Sequence, residues 1–399
     1  MQTVIIDAIR TPRGRGTTRG GALSSLRAAD LLAGLYREIA ARHPGVEALV
    51  GDALIGCVTQ TGDQGSNIGK VAALRANWPD EVPAATINRF CASGLSAVNA
   101  AAAQAQVNDS VVLGGGVEMM SRTPMFSDNG VLFADKDVAR SARSVHPVLG
   151  ADLVATQHDI SRADCDAYAA LSQQRAEAAR ARGAFTSIIP VRDASGAVLL
   201  DQDETIRSGV TAESLSGLDP VFEKVGDASD VAALLSGFPD LHRIVHVHHA
   251  GNAPAMADGA ALVLMAGEDA AKRHGLTPRA RILATAEANV AITQTGAVDA
   301  SRLALQRAGL SADDIDLWEV RDSFAAVTLH YIRAFDLSLD KFNVNGSSIA
   351  LGHPMGATGA MLVGTLLDEM DARDLRYGLV AIAGAAGVAS AAVIERIPT

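Results

Sequence analysis

The chain has 399 residues, of which 48% are hydrophobic and 20% charged, and its formal net charge is −11. This balance is typical of a soluble globular protein of two or three domains, and the negative charge argues against a nucleic-acid-binding surface, although local basic patches could still meet the phosphates of an anionic cofactor. The three cysteines, Cys57, Cys91 and Cys165, cannot form a disulfide framework and include no C-x-x-C metal pair, so we expect a reducing, cytoplasmic compartment.

Strands and helices alternate along the first part of the chain. Residues 3–9 form a predicted strand with no basic signal region before it, and no apolar run reaches the roughly 18 residues of a membrane span. Residues 28–41 carry their leucines on one helix face, and residues 52–58 return as an apolar strand. This alternation predicts an α/β fold.

Cys91 lies between a predicted strand at residues 82–87 and a predicted Ala-rich helix at residues 95–107. At such a strand-to-helix turn the free N–H groups and the positive end of the helix dipole favour a thiolate, and the same N–H groups could hold an oxyanion. We therefore predict that Cys91 is a nucleophile. The alternative is a small buried cysteine packed beside a helix.

A glycine run and an insertion follow. Residues 111–113 are predicted to form a strand that ends in a turn at Gly114, Gly115 and Gly116. A phosphate-binding loop or close packing against another backbone would explain the run, and we favour packing. From about residue 123 the sequence becomes mixed and polar, with a long predicted helix at residues 162–182, which is typical of an inserted domain.

Histidines cluster at residues 246–249, where alternation would place His246 and His248 on one face of a strand. No cysteine or carboxylate at ligand spacing accompanies them, so we predict no metal site. After residue 265 the pattern repeats: residues 281–284 parallel the first strand, and residues 379–386 parallel the Cys91 turn. An internal duplication is the economical explanation.

His353 lies between a glycine and a proline, just before a small-residue helix start. The tight turn exposes the histidine and leaves room for a substrate. A single histidine is more often a core residue, so this position gains weight only in combination with Cys91.

Together the two segments resemble the active-site signatures of thiolases. Residues 88–98, NRFCASGLSAV, are similar to the N-x-x-C-x-S-G-L-x-A motif, and residues 352–359, GHPMGATG, are similar to G-H-P-x-G-x-[ST]-G. The resemblance extends from Val4 to Arg396 and implies a five-layered αβαβα fold made of two duplicated halves. It implies an N-terminal half of residues 1–122 plus 246–268, a loop domain of residues 123–245 inserted in it, and a C-terminal half of residues 269–399.

The resemblance also implies a function. Cys91 would take the acyl group of a 3-oxoacyl-CoA or acetyl-CoA as a thioester, with His353 as the base, as in the acyltransferases of fatty acid metabolism. Coenzyme A would be a substrate, and no permanently bound cofactor or metal is expected. The motif matches imply coenzyme A contacts at Leu149, Ala250, Gly251, Pro254 and Met355, with Pro254 in place of the family's serine.

Two departures from the family pattern keep other functions open. Ala383 stands at the position of the family's second catalytic cysteine, and Arg321 replaces the Asn or His of the N-E-A-F or H-E-A-F element. Arg321 could contact an oxyanion, bind a substrate carboxylate or fill the site, and Ala385 is a further possible oxyanion contact. A CoA-thioester hydrolase, an unusual acyltransferase and a degenerate CoA-binding paralogue remain alternatives. We expect a homodimer or homotetramer, because the family pairs its halves through strand edges.

Overall fold

The computed structural model describes residues 2–142, 144–221, 228–290 and 295–398, and we number its elements in chain order. The strands are β1 (Thr3–Arg10), β2 (Gly14–Arg15), β3 (Val50–Gly56), β4 (Ala84–Ile87), β5 (Val111–Met119), β6 (Val191–Arg192), β7 (Val198–Leu200), β8 (Ala257–Gly267), β9 (Ala280–Asn289), β10 (Leu317–Val320), β11 (Tyr377–Ala383) and β12 (Val388–Arg396). The helices are α1 (Ala28–Arg42), α2 (Ile68–Arg75), α3 (Ser93–Asn108), α4 (Val131–Ala134), α5 (Lys136–Ser141), α6 (Pro147–Gln157), α7 (Arg162–Ala181), α8 (Ala212–Ser216), α9 (Ala228–Leu235), α10 (Glu268–Arg273), α11 (Gly296–Ala308), α12 (Ala325–Phe335), α13 (Ser348–Leu351) and α14 (Met355–Ala372).

The two halves of the chain carry the same strand arrangement. The first half places β1, β8, β5 and β3 side by side, and the second half places β9, β12, β11 and β10 in the same way. In each half the first two pairs are antiparallel and the last pair is parallel. Antiparallel pairing of β1 with β9 joins both sets into one 10-stranded sheet, in which β4 lies at the edge beside β3. The predicted duplication is therefore visible in the topology.

Alternate strand residues pack against different helix layers, because successive side chains of a strand point to opposite faces. In β8, Leu262 packs with α1 and α2, whereas Val263 packs with α3 and α14. In β11, Val380 packs on the α3 and α14 side, whereas Leu379 packs with α11 and α12. Helices α3 and α14 therefore lie between the two parts of the sheet, which gives five layers of helix and strand.

The predicted turn at the glycine run is wrong, because β5 continues through all three glycines to Met119. A β-carbon on Gly115 would lie 2.3 Å from the carbonyl oxygen of Ala261, and one on Gly116 would lie 2.1 Å from that of Gly356. Glycine is required because two neighbouring backbones approach the strand closely, as the packing hypothesis expected.

The segment between β5 and β8 lies against both halves. Asp203 of this segment accepts hydrogen bonds from Arg10 Nη1 (2.8 Å) and Nη2 (2.9 Å) at the end of β1. On the other side, Ser172 of α7 donates to Asp322 Oδ2 (3.1 Å) just after β10. Among the described helices, none combines the length and the apolar composition that a bilayer span requires.

Candidate active site

Cys91 and His353 line one cavity of about 550 Å³, where the ends of α3 and α14 meet the segment between β5 and β8. Most of the cavity wall is apolar. The larger apolar side chains on it are Phe90, Met120, Met125, Phe126, Phe133, Met256, Phe324 and Met355. The two residues that the sequence analysis predicted to be catalytic are thus brought together from positions far apart in the chain.

Cys91 occupies the predicted strand-to-helix turn, since β4 ends at Ile87 and α3 begins at Ser93. Phe90 adopts a left-handed backbone with φ of 46°. Ser93 holds this turn by donating from Oγ to the Phe90 carbonyl oxygen (2.5 Å), and it accepts a hydrogen bond from the amide of Arg89 (2.8 Å). The strained turn places Cys91 on the cavity wall while α3 stays packed between the two parts of the sheet.

Cys91 differs from the other cysteines in its access to the cavity. Cys91 is partly exposed, whereas Cys57 and Cys165 are buried. Burial raises the pKa of the Cys57 thiol and of the Cys165 thiol, and nearby carboxylates add to both shifts. A thiolate is therefore disfavoured at both buried positions.

The hydrogen bonds around His353 determine which ring nitrogen carries the proton. Its Nδ1 lies 2.7 Å from Thr358 Oγ1, and the Thr358 hydroxyl donates its own proton to the Pro354 carbonyl oxygen (3.0 Å). Because that hydroxyl proton is already used, we assign the ring proton to Nδ1, which leaves Nε2 as an acceptor. Nε2 is buried and has no hydrogen-bond partner among the described residues.

The surroundings of His353 keep the ring neutral. Burial, with the positive charges of Arg321 and Arg13, lowers the pKa of His353 well below its usual value of 6.5. The imidazole is therefore unprotonated at neutral pH and can accept a proton at Nε2.

Arg321 is a buried cation on the cavity wall. Its Nη1 donates to Ser323 Oγ (2.9 Å) and to the Ala383 carbonyl oxygen (2.8 Å), while its Nε has no partner among the described residues. Burial lowers the pKa of Arg321, and the neighbouring Cys91 and Asp322 oppose that shift. A guanidinium at this position can stabilise negative charge that develops near Cys91.

The end of β11 approaches the Cys91 turn through its backbone. A β-carbon on Gly384 would lie 3.1 Å from the amide nitrogen of Cys91, and Ala385 lines the cavity. Ala383 instead packs in the apolar cluster with α11 and α12, beside Arg321. No acid or base side chain reaches the cavity from this strand end.

Glu118, at the end of β5, connects the two sides of the cavity. Its carboxylate accepts hydrogen bonds from the amides of Val58 (2.9 Å), Thr59 (3.1 Å) and Gly356 (2.9 Å), and from Gln64 Nε2 (2.7 Å). Val58 and Thr59 line the cavity, and Gly356 follows the His353 turn. Sequence reasoning missed this role, although a glutamate just after the glycine run was visible.

The five predicted coenzyme A contacts lie in different surroundings. Pro254 and Met355 line the cavity. Leu149 is buried in an apolar cluster of α6 and α12, while Ala250 and Gly251 lie outside the cavity lining. His146 and Asp128, which the sequence analysis did not select, line the cavity, and His146 caps the start of α6 through its Nδ1.

The histidines at residues 246–249 pair with carboxylates. His246 Nδ1 lies 2.8 Å from Asp152 Oδ2, His248 Nδ1 lies 2.7 Å from Asp152 Oδ1, and His249 Nε2 lies 2.7 Å from Asp166 Oδ1. Among the described residues, no group of three or more His, Cys, Asp or Glu could hold a metal ion. These histidines attach the segment before β8 to α6 and α7.

Comparison with protein families gives matches in both halves of the chain. The family described as "Thiolase, N-terminal domain" matches residues 3–237, and "Thiolase, C-terminal domain" matches residues 276–396. The proteins named 3-ketoacyl-CoA thiolase from Cronobacter sakazakii and Citrobacter koseri are each 42% identical over 412 residues, which cover 99% of this chain and 100% and 99% of theirs.

Solved structures with the same fold include two further proteins. The acetyl-CoA acetyltransferase of Bacillus anthracis has a TM-score of 0.85 at 32% identity, and covers 99% of both chains. The dimeric peroxisomal thiolase of Saccharomyces cerevisiae has a TM-score of 0.85 at 30% identity, over 99% of this chain and 97% of that one. The predicted five-layered fold is confirmed by these likenesses.

Proposed function

The chain belongs to the thiolase family, and on that premise we propose that it transfers the acyl group of a 3-oxoacyl-CoA or of acetyl-CoA through a thioester on Cys91, with His353 as the base. Thiolases are acyltransferases, and they use coenzyme A as a substrate without a permanently bound cofactor. The relatives named 3-ketoacyl-CoA thiolase support a 3-oxoacyl-CoA as the substrate.

One observation carries the roles of the two residues. His353, whose Nε2 has no hydrogen-bond partner among the described residues, and Cys91, which is partly exposed, line the same cavity. In the proposed reaction Nε2 takes the thiol proton, and the sulfur attacks the carbonyl carbon of the acyl group. Arg321 and the amide of Ala385 are the proposed donors to the oxyanion of the tetrahedral intermediate.

Coenzyme A is proposed to reach Cys91 through the mouth of the cavity. The positions of Pro254 and Met355 on the cavity wall support their predicted contacts. For Leu149, Ala250 and Gly251 the proposal rests on the family resemblance alone. His146 and Asp128 are polar groups on the same wall, and we add them as candidate contacts.

The assembly and the domain division are also proposals. We keep residues 1–122 plus 246–268, 123–245 and 269–399 as the N-terminal half, loop domain and C-terminal half. β4 is an edge strand whose residues are partly exposed, which supports association of two copies through this strand into a homodimer or a homotetramer. A cytoplasmic location would keep the Cys91 thiol reduced.

Thioester hydrolysis is a second candidate, because the end of β11 contributes no acid or base side chain to the cavity. In that reaction water instead of the thiol of coenzyme A would accept the acyl group. The two candidates share the acyl-enzyme and differ in what removes the acyl group from Cys91.

Intact-mass spectrometry of the protein with acetoacetyl-CoA tests the proposal. We expect an acetyl adduct of Cys91 that disappears when coenzyme A is added, with formation of acetyl-CoA. Cys57→Ala, which removes a buried thiol, should still form the adduct, and Cys91→Ala should not. Adduct loss at the same rate without coenzyme A would favour hydrolysis, and an unmodified wild-type protein would refute acyl transfer.

A further inference from the structure

We propose that a single imidazole, His353, performs both proton transfers of carbon–carbon bond cleavage, and that Arg321 stabilises the enolate formed between them. This inference rests on the proposed acyl transfer through Cys91. It concerns a step that acylation by itself does not require, namely the protonation of the carbon fragment that leaves.

The first argument is the small number of titratable groups on the cavity wall. Among the described residues that line the cavity, only Cys91, Asp128, His146, Arg321 and His353 carry titratable side chains. Cys91 is occupied as the nucleophile, and an arginine keeps its proton at any ordinary pH. Asp128 is an exposed side chain, and His146 uses Nδ1 to cap α6. His353 is the remaining group that is fully enclosed in the site.

The second argument is the strand end opposite Cys91. Ala383 carries a methyl group in an apolar cluster, Gly384 has no side chain and lies against the Cys91 amide, and Ala385 offers a methyl group to the cavity. None of these residues can give or take a proton through its side chain. A proton that reaches the leaving carbon must therefore come from another part of the wall.

The third argument is the orientation of the imidazole. The contact of Nδ1 with Thr358, whose own proton goes to Pro354, leaves Nε2 of this cavity-lining residue as the nitrogen without a partner among the described residues. After Nε2 takes a proton, that N–H is the one available to donate to a substrate. Burial and the positive charges of Arg321 and Arg13 make the imidazolium a stronger acid than usual, because they lower the pKa of His353. A stronger acid gives its proton to carbon more readily.

The fourth argument is the placement of Arg321. Its guanidinium is fixed by Ser323 and by the Ala383 carbonyl oxygen, and it interacts electrostatically with both Cys91 and His353. A buried, fixed cation next to the reacting atoms lowers the energy of the enolate. A single histidine that was protonated in the preceding step can then protonate the enolate carbon.

The proton balance of the proposed cleavage closes with one base. The Cys91 thiol proton moves to His353 Nε2, and the sulfur bonds to the β-carbonyl carbon of the 3-oxoacyl-CoA. The bond between the α- and β-carbons then breaks, and its electron pair forms the enolate of acetyl-CoA. His353 gives its proton to the α-carbon and returns to the neutral state. In the second half His353 takes the coenzyme A thiol proton, the thiolate attacks the acyl-Cys91 carbonyl, and the Cys91 sulfur leaves and regains the proton.

Exchange of the methyl protons of acetyl-CoA in D₂O isolates the carbon step. The acetyl group is first loaded on Cys91 from an activated aryl thioester, and loading is confirmed by intact mass. Acetyl-CoA is then added, and its deuterium content is followed by mass spectrometry. Wild type and His274→Ala, which changes an exposed histidine, should both exchange. His353→Ala should exchange about 100-fold to 10,000-fold more slowly, the usual contribution of one acid/base, and added imidazole should restore exchange.

The outcomes are distinct. Wild-type exchange by loaded His353→Ala, or an equal loss in His146→Gln, would assign the carbon proton to another group and overturn the proposal. An acylated wild type that exchanges no deuterium would overturn it as well, while leaving acyl transfer intact. A wild type that accepts no acyl group from acetoacetyl-CoA would instead refute the proposed function.

Discussion

At the scale of single residues, Thr358 determines which nitrogen of His353 carries the proton. Its hydroxyl accepts from Nδ1 and donates to the Pro354 carbonyl oxygen, so the direction of both hydrogen bonds is set. Thr358 is a positioning residue, since it reaches the substrate only through the ring. A buried imidazole without this partner could adopt the other tautomer, in which Nε2 is protonated and cannot act as a base.

Thr358→Val should separate positioning from binding. Valine keeps the shape of threonine but removes the acceptor, so we expect kcat for thiolysis of acetoacetyl-CoA to fall about 10-fold to 100-fold while KM changes little. This fall in kcat is smaller than the one expected when His353 itself is removed. Thr358→Ser, which keeps the hydroxyl, should retain most of the activity. A normal kcat in Thr358→Val would show that the tautomer does not depend on this hydrogen bond.

Arg321 adds to the effect of burial on the charge state of the same ring. Its positive charge disfavours the imidazolium, so Arg321→Gln should raise the pKa of His353. The acid limb of the pH profile of the acylation rate should then move to higher pH by about one unit. One unit corresponds to about 1.4 kcal/mol less destabilisation of the imidazolium relative to the neutral ring. The measurement is the rate of adduct formation on Cys91 from acetyl-CoA between about pH 4 and pH 8.

The control for Arg321 is Arg302→Gln, which removes an exposed cation that lies over the Phe335 ring. This variant should keep the wild-type pH profile. A profile of Arg321→Gln that coincides with that of Arg302→Gln would mean that the buried cation does not act on His353.

At the scale of elements, the central helices and β5 are placed by glycines. Gly116 lies where a β-carbon would meet the carbonyl oxygen of Gly356 at 2.1 Å, in the first turn of α14 after His353. The strand and the helix that carries the base are therefore in backbone contact. This closeness also lets Glu118 bond to the amide of Gly356.

Gly116→Ala should displace the start of α14. We expect a loss of stability of about 1–3 kcal/mol, typical of overpacking, together with reduced acylation because His353 precedes that turn. Gly51→Ala is the matched control, since Gly51 lies in β3 and the nearest atom to its added β-carbon would be at 3.7 Å. Urea unfolding and adduct formation on Cys91 measure both effects. Equal stability of the two variants would contradict the steric argument.

The elements were predicted well where a single face is apolar, and less well where backbones touch. The helix with its leucines on one face was predicted at residues 28–41 and is found at Ala28–Arg42. β5 was predicted to end at Leu113 but runs to Met119. The prediction failed because a local sequence does not show which backbone will pack against the glycines. The Cys91 turn was predictable from its flanks, since an apolar strand and a small-residue helix leave little room between them.

The site shows the same limit. Cys91 and His353 were selected by motif, and both line the cavity. Glu118 was not selected because its role depends on partners up to 238 positions away, as in its contact with Gly356, and Thr358 was not selected because its role depends on a hydrogen-bond direction. His146 was not selected because nothing in its local sequence places it on the cavity wall. The surroundings of Arg321 could not be predicted either. Its two hydrogen-bond acceptors are Ser323, in the turn after β10, and the Ala383 carbonyl oxygen at the end of β11, and only the fold brings these together.

At the scale of the whole molecule, a buried charge cluster attaches the segment between β5 and β8 to β1. Asp203 accepts from both terminal nitrogens of Arg10 and from the amide of Arg13 (2.7 Å), and all three side chains are buried. Burial alone would raise the pKa of Asp203, but the charges of Arg10 and Arg13 and the hydrogen bonds from both residues outweigh it and lower the pKa below 3.8. Residues of this segment line the cavity, so its attachment matters for the site.

The sign of the pH dependence follows from that direction. Because the pKa of Asp203 is lower in the folded state than in the unfolded chain, its contribution to stability is fully present above the unfolded value of about 3.9 and is lost as the pH falls through the lower folded value.

Asp203→Asn removes the charge between two buried arginines, so we expect the free energy of unfolding at neutral pH to fall by about 3 kcal/mol, toward the lower end for a broken buried ion pair. The dependence of stability on pH below about pH 4 should become weaker in the variant, because one titrating carboxylate is gone. Asp201→Asn, two positions away and exposed, should change neither quantity. Urea unfolding at several pH values measures both, and equal behaviour of Asp203→Asn and Asp201→Asn would show that the cluster does not hold the segment between β5 and β8 on β1.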